Sequence, residues 1–388
     1  MLSPPPSWPL MLAALVCGLG VAVAVSGAFV WFYNRVFSRM REVWFKKFLS
    51  LALLPLGCLL GLLAAGRLAV GGPGGIEQTL WWLAGVTGWM LGVRYARVAR
   101  EKHEHARGSR FERCRHLHIQ AIDWEYLPRW AAPLLRLVGP LNGVSRLRIH
   151  RRRIVLPDLD PAFDGYRIVH LTDFHIHPTL RMEWYDAVVD EAMRHEPDLI
   201  LYGGDFISKP PFVPRIPRVM ERLAAPDGVY YVRGNHDFWK GGSRVARQAR
   251  AAGLRLLSNE GVVLKRGEAA LSLLGFETPY VPLTAGEKQR LRALPAPRLG
   301  LVHTPDAFAE AAAAGCFLAL AGHSHGGQVR LPLFGTTLSS TSSGPLLASG
   351  VGRLGAMLTI TSNGQGAFLP LRVLCPPEIV LIELACGK

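Results

Sequence analysis

Five short apolar runs between residues 165 and 325 constrain the fold more than any other feature of this sequence. The runs are YRIVHLT, DLILYGG, GVYYVRG, RLGLVHT and CFLALAG, and helix-like stretches such as MEWYDAVVDEAMRHE stand between several of them. Apolar runs of strand length that alternate with helical stretches predict an α/β fold. The hairpin-like patterns between residues 254 and 276, and after Gln328, predict mixed rather than purely parallel sheets.

Each run leads directly into aspartate, asparagine or histidine. These residues are Asp173, His175, Asp205, Asn235, His236, Asp237, His303, His323 and His325. A lone histidine is more often a core or surface residue, but five successive runs with the same ending favour a site. Ligands in open α/β sheets bind at the carboxyl ends of the strands, so we expect these side chains to meet there. Carboxylate, imidazole and amide groups without thiolate suit Mn²⁺, Fe or Zn²⁺, and the choice among these metals stays open.

The order and spacing of these residues resemble a known family. The motifs are Asp173-x-His175, Gly204-Asp205, Gly234-Asn235-His236-Asp237, His303 and Gly322-His323-x-His325, and they resemble those of the calcineurin-like metallophosphoesterases. HTPD, GHSHGGQVRLPLFG and LCPPEIVLIEL are similar to the membrane-associated bacterial phosphodiesterase branch. The resemblance covers residue 165 to the C-terminus. It implies a four-layer α/β/β/α sandwich with two divalent metal ions between the carboxyl ends of two sheets.

The resemblance also implies a role for each site residue. The implied metal ligands are Asp173, His175 and His325 for one ion, Asn235, His303 and His323 for the other, and Asp205 as the bridge. A hydroxide held between the two ions would attack phosphorus. His236 would lie beside the metals and protonate the leaving group.

Two interpretations are open for each of three charged residues near these motifs. Arg233 either holds a phosphate oxygen through its guanidinium or forms a surface salt bridge. Asp237 either orients the imidazole of His236 or caps the following loop. Glu277 is expected to be a loop charge, with substrate contact as the alternative.

The N-terminal part of the chain has a different character. Residues 10–33, 48–70 and 76–95 are candidate transmembrane helices, with an interfacial or re-entrant helix as the alternative for the third. They predict an all-α transmembrane region, followed by a basic connector over 96–150 and the metallophosphoesterase domain over 151–388. Within the connector, residues 126–144 form either an interfacial helix or a helix packed on the next domain. Lys and Arg in the loops predict a multi-pass protein of the bacterial inner membrane with a cytoplasmic catalytic domain.

The predicted function is hydrolysis of a phosphodiester or a pyrophosphate. The net charge of +15 suits an anionic membrane surface, so a lipid-linked substrate and membrane lipids are the expected partners. No nucleic-acid partner is expected, because the C-terminal half shows no stripe of aromatic and basic residues. A phosphomonoesterase or protein phosphatase, and a metal-free scaffold of the same fold, are the alternatives.

Overall fold

The computed structural model describes residues 109–331, 335–336, 339–343, 347–367 and 369–387. The candidate transmembrane segments 10–33, 48–70 and 76–95 lie outside these residues, as does the first part of the predicted connector. Across the described part of the chain, no helix has both the length and the hydrophobicity that crossing a bilayer requires.

Strands and short helices alternate along the described residues. The α-helices are α1 (Ala131–Leu137), α2 (Met182–Met193), α3 (Ile216–Met220), α4 (Ser243–Ala251), α5 (Ala285–Ala293) and α6 (Phe308–Ala313). The strands are β1 (Ser109–His118), β2 (Arg146–Leu156), β3 (Arg167–Leu171), β4 (Leu199–Tyr202), β5 (Val229–Tyr231), β6 (Arg255–Leu256), β7 (Gly261–Arg266), β8 (Ala269–Phe276), β9 (Arg298–Val302), β10 (Leu318–Ala321), β11 (Arg330–Leu331), β12 (Gly335–Thr336), β13 (Gly350–Leu354), β14 (Met357–Thr361) and β15 (Glu378–Cys386).

The larger strands form two mixed sheets. The first has the order β1-β2-β15-β3-β4-β5-β6, in which β3, β4, β5 and β6 run parallel and β15 runs antiparallel to β3. The second has the order β13-β14-β10-β9-β8-β7, with four parallel central strands and an antiparallel strand at each edge. The prediction of mixed sheets is therefore confirmed.

The apolar faces of the two sheets pack against each other. One core cluster joins Leu199 and Leu201 of β4 with Leu301 of β9 and Leu320 of β10, all fully buried. A second cluster packs α2, α3 and α4 on the outer face of the first sheet, and a third packs α5 and α6 on the outer face of the second. Because strands β3 to β5 and β8 to β10 are buried on both faces, their sequences are continuous apolar runs rather than alternating ones.

The first sheet begins earlier in the chain than we predicted. Strand β1 pairs with β2, and β2 pairs in parallel with β15 at the C-terminus, so the predicted domain boundary at residue 151 cuts through β2. The predicted helix over 126–144 is also shorter, because only Ala131–Leu137 is α-helical and 3₁₀ turns flank it. Ala131 and Leu135 of this helix are buried in the core, which places one of its faces against the domain.

Candidate metal centre

The polar residues that follow the five central strands converge at one edge of the molecule. Strands β3, β4 and β5 of the first sheet and β9 and β10 of the second deliver them at their carboxyl ends. Their side-chain nitrogen and oxygen atoms form three overlapping groups, each with all ligand atoms within 4.8 Å of one another. The groups are Asp173 with His175 and His325, His175 with Asp205 and His236, and Asp205 with His303 and His323.

The first group combines one carboxylate with two imidazoles. Nε2 of His175 lies 3.0 Å from Nε2 of His325, and Oδ1 of Asp173 lies 3.8 Å from the former and 3.6 Å from the latter. Oδ2 of Asp173 accepts hydrogen bonds from the His323 amide at 2.9 Å and from the Thr172 hydroxyl at 2.7 Å. Its Oδ1 is buried and accepts no hydrogen bond from any residue that the structure describes. One oxygen is thus used for positioning and the other faces the two imidazoles.

A further set of ligand atoms, called the second group from here on, comprises the imidazoles of His303 and His323 and the amide of Asn235. Nε2 of His303 lies 3.1 Å from Oδ1 of Asn235 and 3.1 Å from Nδ1 of His323. Nδ1 of His303 lies 2.7 Å from the carbonyl oxygen of Gly203, to which it must donate a hydrogen bond. In the neutral ring of His303, the form that can bind a cation, the lone pair is therefore on Nε2, the nitrogen that faces the group.

Asp205 lies between the two groups. Its Oδ2 is 3.4 Å from Nε2 of His175 in one group and 3.5 Å from Nε2 of His303 in the other. Its Oδ1 accepts a hydrogen bond from the His236 amide at 2.8 Å. A single carboxylate oxygen therefore faces both groups, as the prediction of a bridging ligand requires.

The donor set fits divalent cations. Atoms that bind one ion at about 2.1 Å lie roughly 3–4 Å apart, and the spacings above fall in this range. The unpaired Oδ1 of Asp173 also needs a cationic or hydrogen-bonding partner, since leaving a buried acceptor unsatisfied costs about 1–3 kcal/mol. Seven predicted ligands would hold the ions: Asp173, His175, Asp205, Asn235, His303, His323 and His325.

Backbone strain is concentrated at these residues. Asp173, His175, Asp205, His323 and His325 have φ between 46° and 67°, the left-handed region that side chains other than glycine rarely adopt. They are five of the nine non-glycine residues with positive φ among those described. Such strain persists where surrounding contacts fix it, and it clusters at functional sites.

Two glycines allow the strand ends to approach each other. A Cβ atom on Gly234 would lie 2.1 Å from Oδ1 of Asp205, and one on Gly322 would lie 2.1 Å from Oδ2 of Asp173. Neither position tolerates a side chain without moving a ligand. The glycines beside the histidines in the AGHSHGG stretch therefore serve close packing at the centre.

Burial sets the protonation of the imidazoles. It lowers the pKa of His175 to about 3 and that of His323 to about 4, and it holds the pKa of His325 well below the ordinary value. These rings are neutral near pH 7, as metal ligands must be. Burial would also lower the pKa of His303, but Asp205 outweighs it and raises that pKa to about 9. The negative charge of Asp205 therefore favours a positive charge at His303, and a bound cation would supply that charge in place of the proton.

Asp237 binds backbone amides of two loops. It is fully buried, and its Oδ2 accepts hydrogen bonds from the amides of Asp205 at 2.7 Å and Gly234 at 2.9 Å. Its Oδ1 accepts a hydrogen bond from the amide of Phe206 at 2.9 Å. Asp237 thus ties the loop after β4 to the loop after β5. Burial raises its pKa to about 7, and the neighbouring charge of Asp205 adds to this rise.

Arg233 and Glu277 form a pair that we did not predict. Nε and Nη2 of Arg233 each donate to a carboxylate oxygen of Glu277 at 2.7 Å, and the Glu277 side chain is 0% exposed. Glu277 is therefore not a loop charge. Of the two interpretations of Arg233, the structure shows a salt bridge, and this salt bridge is buried on the Glu277 side rather than at the surface.

Arg372 is a site residue that sequence reasoning missed. Its side chain is fully buried, and Nη2 lies 3.1 Å from Nδ1 of His325. The contribution of the loop after β14 was missed too. In this loop, Oε1 of Gln365 accepts a hydrogen bond from the Thr172 amide at 2.9 Å, and Asn363 lies beside Arg372. The signal was present in TSNGQG, because polar residues and glycines again follow a strand at the same edge.

The centre is open on one side. Asp173, His175, Asp205, Asn235 and His303 are buried, whereas His236, His323 and His325 are partly exposed. The ring of His236 packs edge-on against that of His175, with centroids 4.7 Å apart. A substrate can therefore approach across these three imidazoles, and the edge of His236 lies at the opening.

This chain is similar to known proteins. A family model of calcineurin-like phosphoesterases matches residues 166–306. An uncharacterized metallophosphoesterase, YkuE of Bacillus subtilis, is 29% identical over 246 residues, which span 58% of this chain and 80% of the relative. The phosphodiesterase YaeI of Escherichia coli is 28% identical over 226 residues, spanning 56% of this chain and 82% of the relative. Together with the ordered motifs, these similarities show that the chain carries a calcineurin-like metallophosphoesterase domain.

Proposed function

We propose that this protein is a phosphodiesterase whose two divalent metal ions share Asp205. The observation that carries this proposal is the position of Asp205 Oδ2, 3.4 Å from His175 and 3.5 Å from His303. Bound there, two cations about 3.5–4 Å apart would attract a phosphate anion and lower the pKa of a water molecule. Mn²⁺, Fe and Zn²⁺ all match the nitrogen and oxygen ligands.

The chain's own residues supply the remaining chemistry. His236 is partly exposed at the opening, and its backbone is fixed by the bond to Asp205. A protonated imidazole at this position donates its proton to the leaving oxygen, a contribution typically worth 10²–10⁴-fold. The strained loops hold Asp173, His175 and His325 in place before substrate binds, so little reorganisation is needed during the reaction.

A phosphodiester is favoured over a monoester as substrate. The phosphodiesterase name of the Escherichia coli relative supports a diester. The buried Glu277 engages Arg233 through two hydrogen bonds, which leaves that guanidinium poorly placed for the second negative charge of a monoester. In a lipid pyrophosphate the phosphorus joined to the lipid also carries two substituted oxygens, one in an ester and one in an anhydride, so this compound remains within the proposed substrate class.

The test compares a diester with a monoester. Full-length protein is stripped with a chelator, reloaded with Mn²⁺ or Zn²⁺, and assayed with bis-p-nitrophenyl phosphate and p-nitrophenyl phosphate. We expect activity only after reloading and a higher kcat/KM for the diester. A higher kcat/KM for the monoester would favour the phosphatase alternative, and the absence of both bound metal and turnover after reloading would favour the metal-free scaffold.

His236→Ala separates the chemistry from metal binding. We expect this variant to keep its metal content and to lose turnover, most strongly with alkyl leaving groups, which need a proton more than nitrophenol does. Loss of metal along with activity would make His236 a ligand or a structural residue. An equal loss on both leaving groups would rule out proton donation.

The proposed location is the bacterial inner membrane, with the catalytic domain on the cytoplasmic side. The three apolar segments within residues 10–95 and the Lys and Arg residues between them support it. An exposed apolar face in the domain adds support: Trp124, Tyr126, Trp130, Leu137 and Leu141 are 39–80% exposed. Trp and Tyr are the side chains favoured at membrane–water interfaces.

This face reaches the metal centre through a few contacts. Asn142 bridges to Val373, next to the exposed Leu374, and the preceding Arg372 contacts His325. A lipid-linked substrate would thus have a short path to the metal ions.

Reporter fusions after residues 47 and 388 test the topology. We expect both to report the cytoplasm, and reporters on opposite sides would show that residues 76–95 do not span.

A further inference from the structure

Trp239 is an exposed aromatic side chain in the loop that carries His236. It lies in a π-helical turn, Asp237–Gly241, directly after Asn235 and His236, and it is 48% exposed. Single π-turns occur frequently at functional sites. Its ring centroid lies 6.1 Å from that of His236. An exposed indole beside the opening of a metal centre has to be covered by substrate or left against water.

Other aromatic rings fix this indole in place. Trp239 meets Tyr280 at 6.5 Å with an interplanar angle of 88°, so the two rings form a corner. The ring of Tyr280 also lies tilted against those of Phe238 and His303, with centroids 5.6 Å and 6.2 Å away. This corner therefore rests on the loops that hold the second group of ligands.

The Arg233–Glu277 pair supports the corner from behind. The guanidinium of Arg233 lies 4.3 Å from the centroid of Phe238, while Glu277 holds its other side. The ion pair thus has a structural role: it fixes the aromatic side chains next to Trp239. Since the charge of Arg233 is satisfied there, the corner itself presents apolar ring surface.

We propose that Trp239 and Tyr280 form a subsite for a planar, ring-bearing leaving group. This rests on the proposed function, in which His236 protonates the leaving oxygen and so defines the side from which the alcohol departs. Two perpendicular aromatic rings offer one stacked and one edge-to-face contact to a planar ring. An alkyl chain would gain apolar contact there, but it could form neither the stacked nor the edge-to-face contact. An aryl alcohol and a nucleoside share this planar chemistry.

The test uses methyl phosphodiesters whose second alcohol is benzyl, hexyl or ethyl. Benzyl alcohol and ethanol differ little in acidity, so the comparison isolates the ring. For Trp239→Ala we expect kcat/KM on the benzyl diester to fall about 2- to 10-fold more than on the ethyl diester, the range of aromatic pair contacts. The loss on the hexyl diester should be smaller than on the benzyl diester. Trp239→Phe should restore most of the benzyl preference.

A binding measurement makes the result independent of turnover. The probes are benzyl(methyl)phosphinate and ethyl(methyl)phosphinate, which carry the diester's single charge and cannot be hydrolysed. Calorimetry on full-length protein should show the benzyl advantage in Kd for wild type and its loss in Trp239→Ala. Lys265→Ala, at an exposed position of β7 that belongs to no proposed site, should leave every value unchanged at equal metal content.

The outcomes separate the subsite from the proposed function. Equal losses on all three diesters, or none, would overturn the subsite while the hydrolase activity stands. A hexyl loss as large as the benzyl loss would also overturn it, because the planar ring would then confer nothing. If wild type hydrolyses none of the diesters but binds the benzyl probe through Trp239, the proposed function fails and the subsite stands.

Discussion

Arg372 holds the imidazole of His325 from behind. Its Nη2 lies 3.1 Å from Nδ1 of His325, and its Nη1 donates to the carbonyl oxygen of Asn363 at 2.8 Å. Arginine can only donate, and a neutral His325 that binds a cation through Nε2 carries its ring proton on Nδ1. Nη2 therefore donates to the carbonyl oxygen of Gly366 and packs against the imidazole without a hydrogen bond to it. Arg372 is fully buried and, among the described residues, forms no ion pair with a carboxylate. Burial accordingly lowers its pKa, and backbone carbonyl oxygens hold the guanidinium.

Removal of this guanidinium should weaken metal binding. Arg372→Met leaves His325 without its support, and loss of such supporting contacts typically reduces metal affinity 10- to 100-fold. We expect Arg372→Lys to recover only part of the metal affinity, because an ammonium group lacks the planar, forked set of donors of a guanidinium. The measurement is competition for Mn²⁺ with a chelating dye. Arg298→Met, which removes donors to Leu294, Ala314 and Arg292 carbonyls, is the control. Equal effects of the two variants would contradict the supporting role.

Asp237→Asn should destabilise the fold more than a role in orienting His236 would allow. Asp237 accepts three backbone N–H donors, and an amide group places its own N–H against one of them. The free energy of unfolding in urea should fall by about 1–3 kcal/mol. The exposed Asp158→Asn is the matched control. Unchanged stability with lost turnover would restore the orienting role.

Arg233 and Glu277 should behave as one unit in a double-mutant cycle. Because the pair is buried, removal of either partner leaves a charge without compensation, at about 3–5 kcal/mol. The double variant Arg233→Met with Glu277→Leu should lose much less than the sum of the two single losses. Urea unfolding gives all four stabilities. Additive losses, together with a raised KM for Arg233→Met alone, would instead support contact with phosphate.

The sequence was sufficient to locate the candidate ligands and insufficient to locate their supports. Each ligand lies in the loop directly after a strand. A local pattern, such as the apolar run that leads into His303, is therefore enough to identify it. Arg372 and Glu277 act on residues 47 and 44 positions away, and nothing in their own neighbourhood indicates this. Such contacts depend on how the two sheets pack.

The early start of the domain was missed for a related reason. Strand β2 reads RLRIHRRRIVL, and its many arginines suggested a basic connector. Leu147, Ile149 and Ile154 are nevertheless buried, and Arg148 and Arg151 are paired with carboxylates of β15. The partner strand begins more than 200 residues later in the chain, so the pairing was invisible to a local interpretation.

Glu378 should make the fold sensitive to acid. Burial alone would raise its pKa, but Arg148 and His150 outweigh burial and lower it to about 2. The stabilisation is therefore present above the ordinary carboxyl pKa and is lost as the pH falls from about 4.5 to about 2, on the order of 3 kcal/mol in all. Glu378→Gln should lose most of this dependence in urea unfolding, whereas the exposed Glu260→Gln should keep it. A wild-type protein equally stable at pH 3 and pH 6 would contradict this assignment.

Metal stoichiometry tests the central claim, that one carboxylate joins two metal sites, most directly. Elemental analysis after equilibrium dialysis against Mn²⁺ should give two ions per wild-type chain. Asp205→Asn removes the charge that faces both groups and should retain fewer than one ion, while Asp158→Asn retains two. Two ions retained by Asp205→Asn, or a single ion in the wild-type chain, would contradict the account.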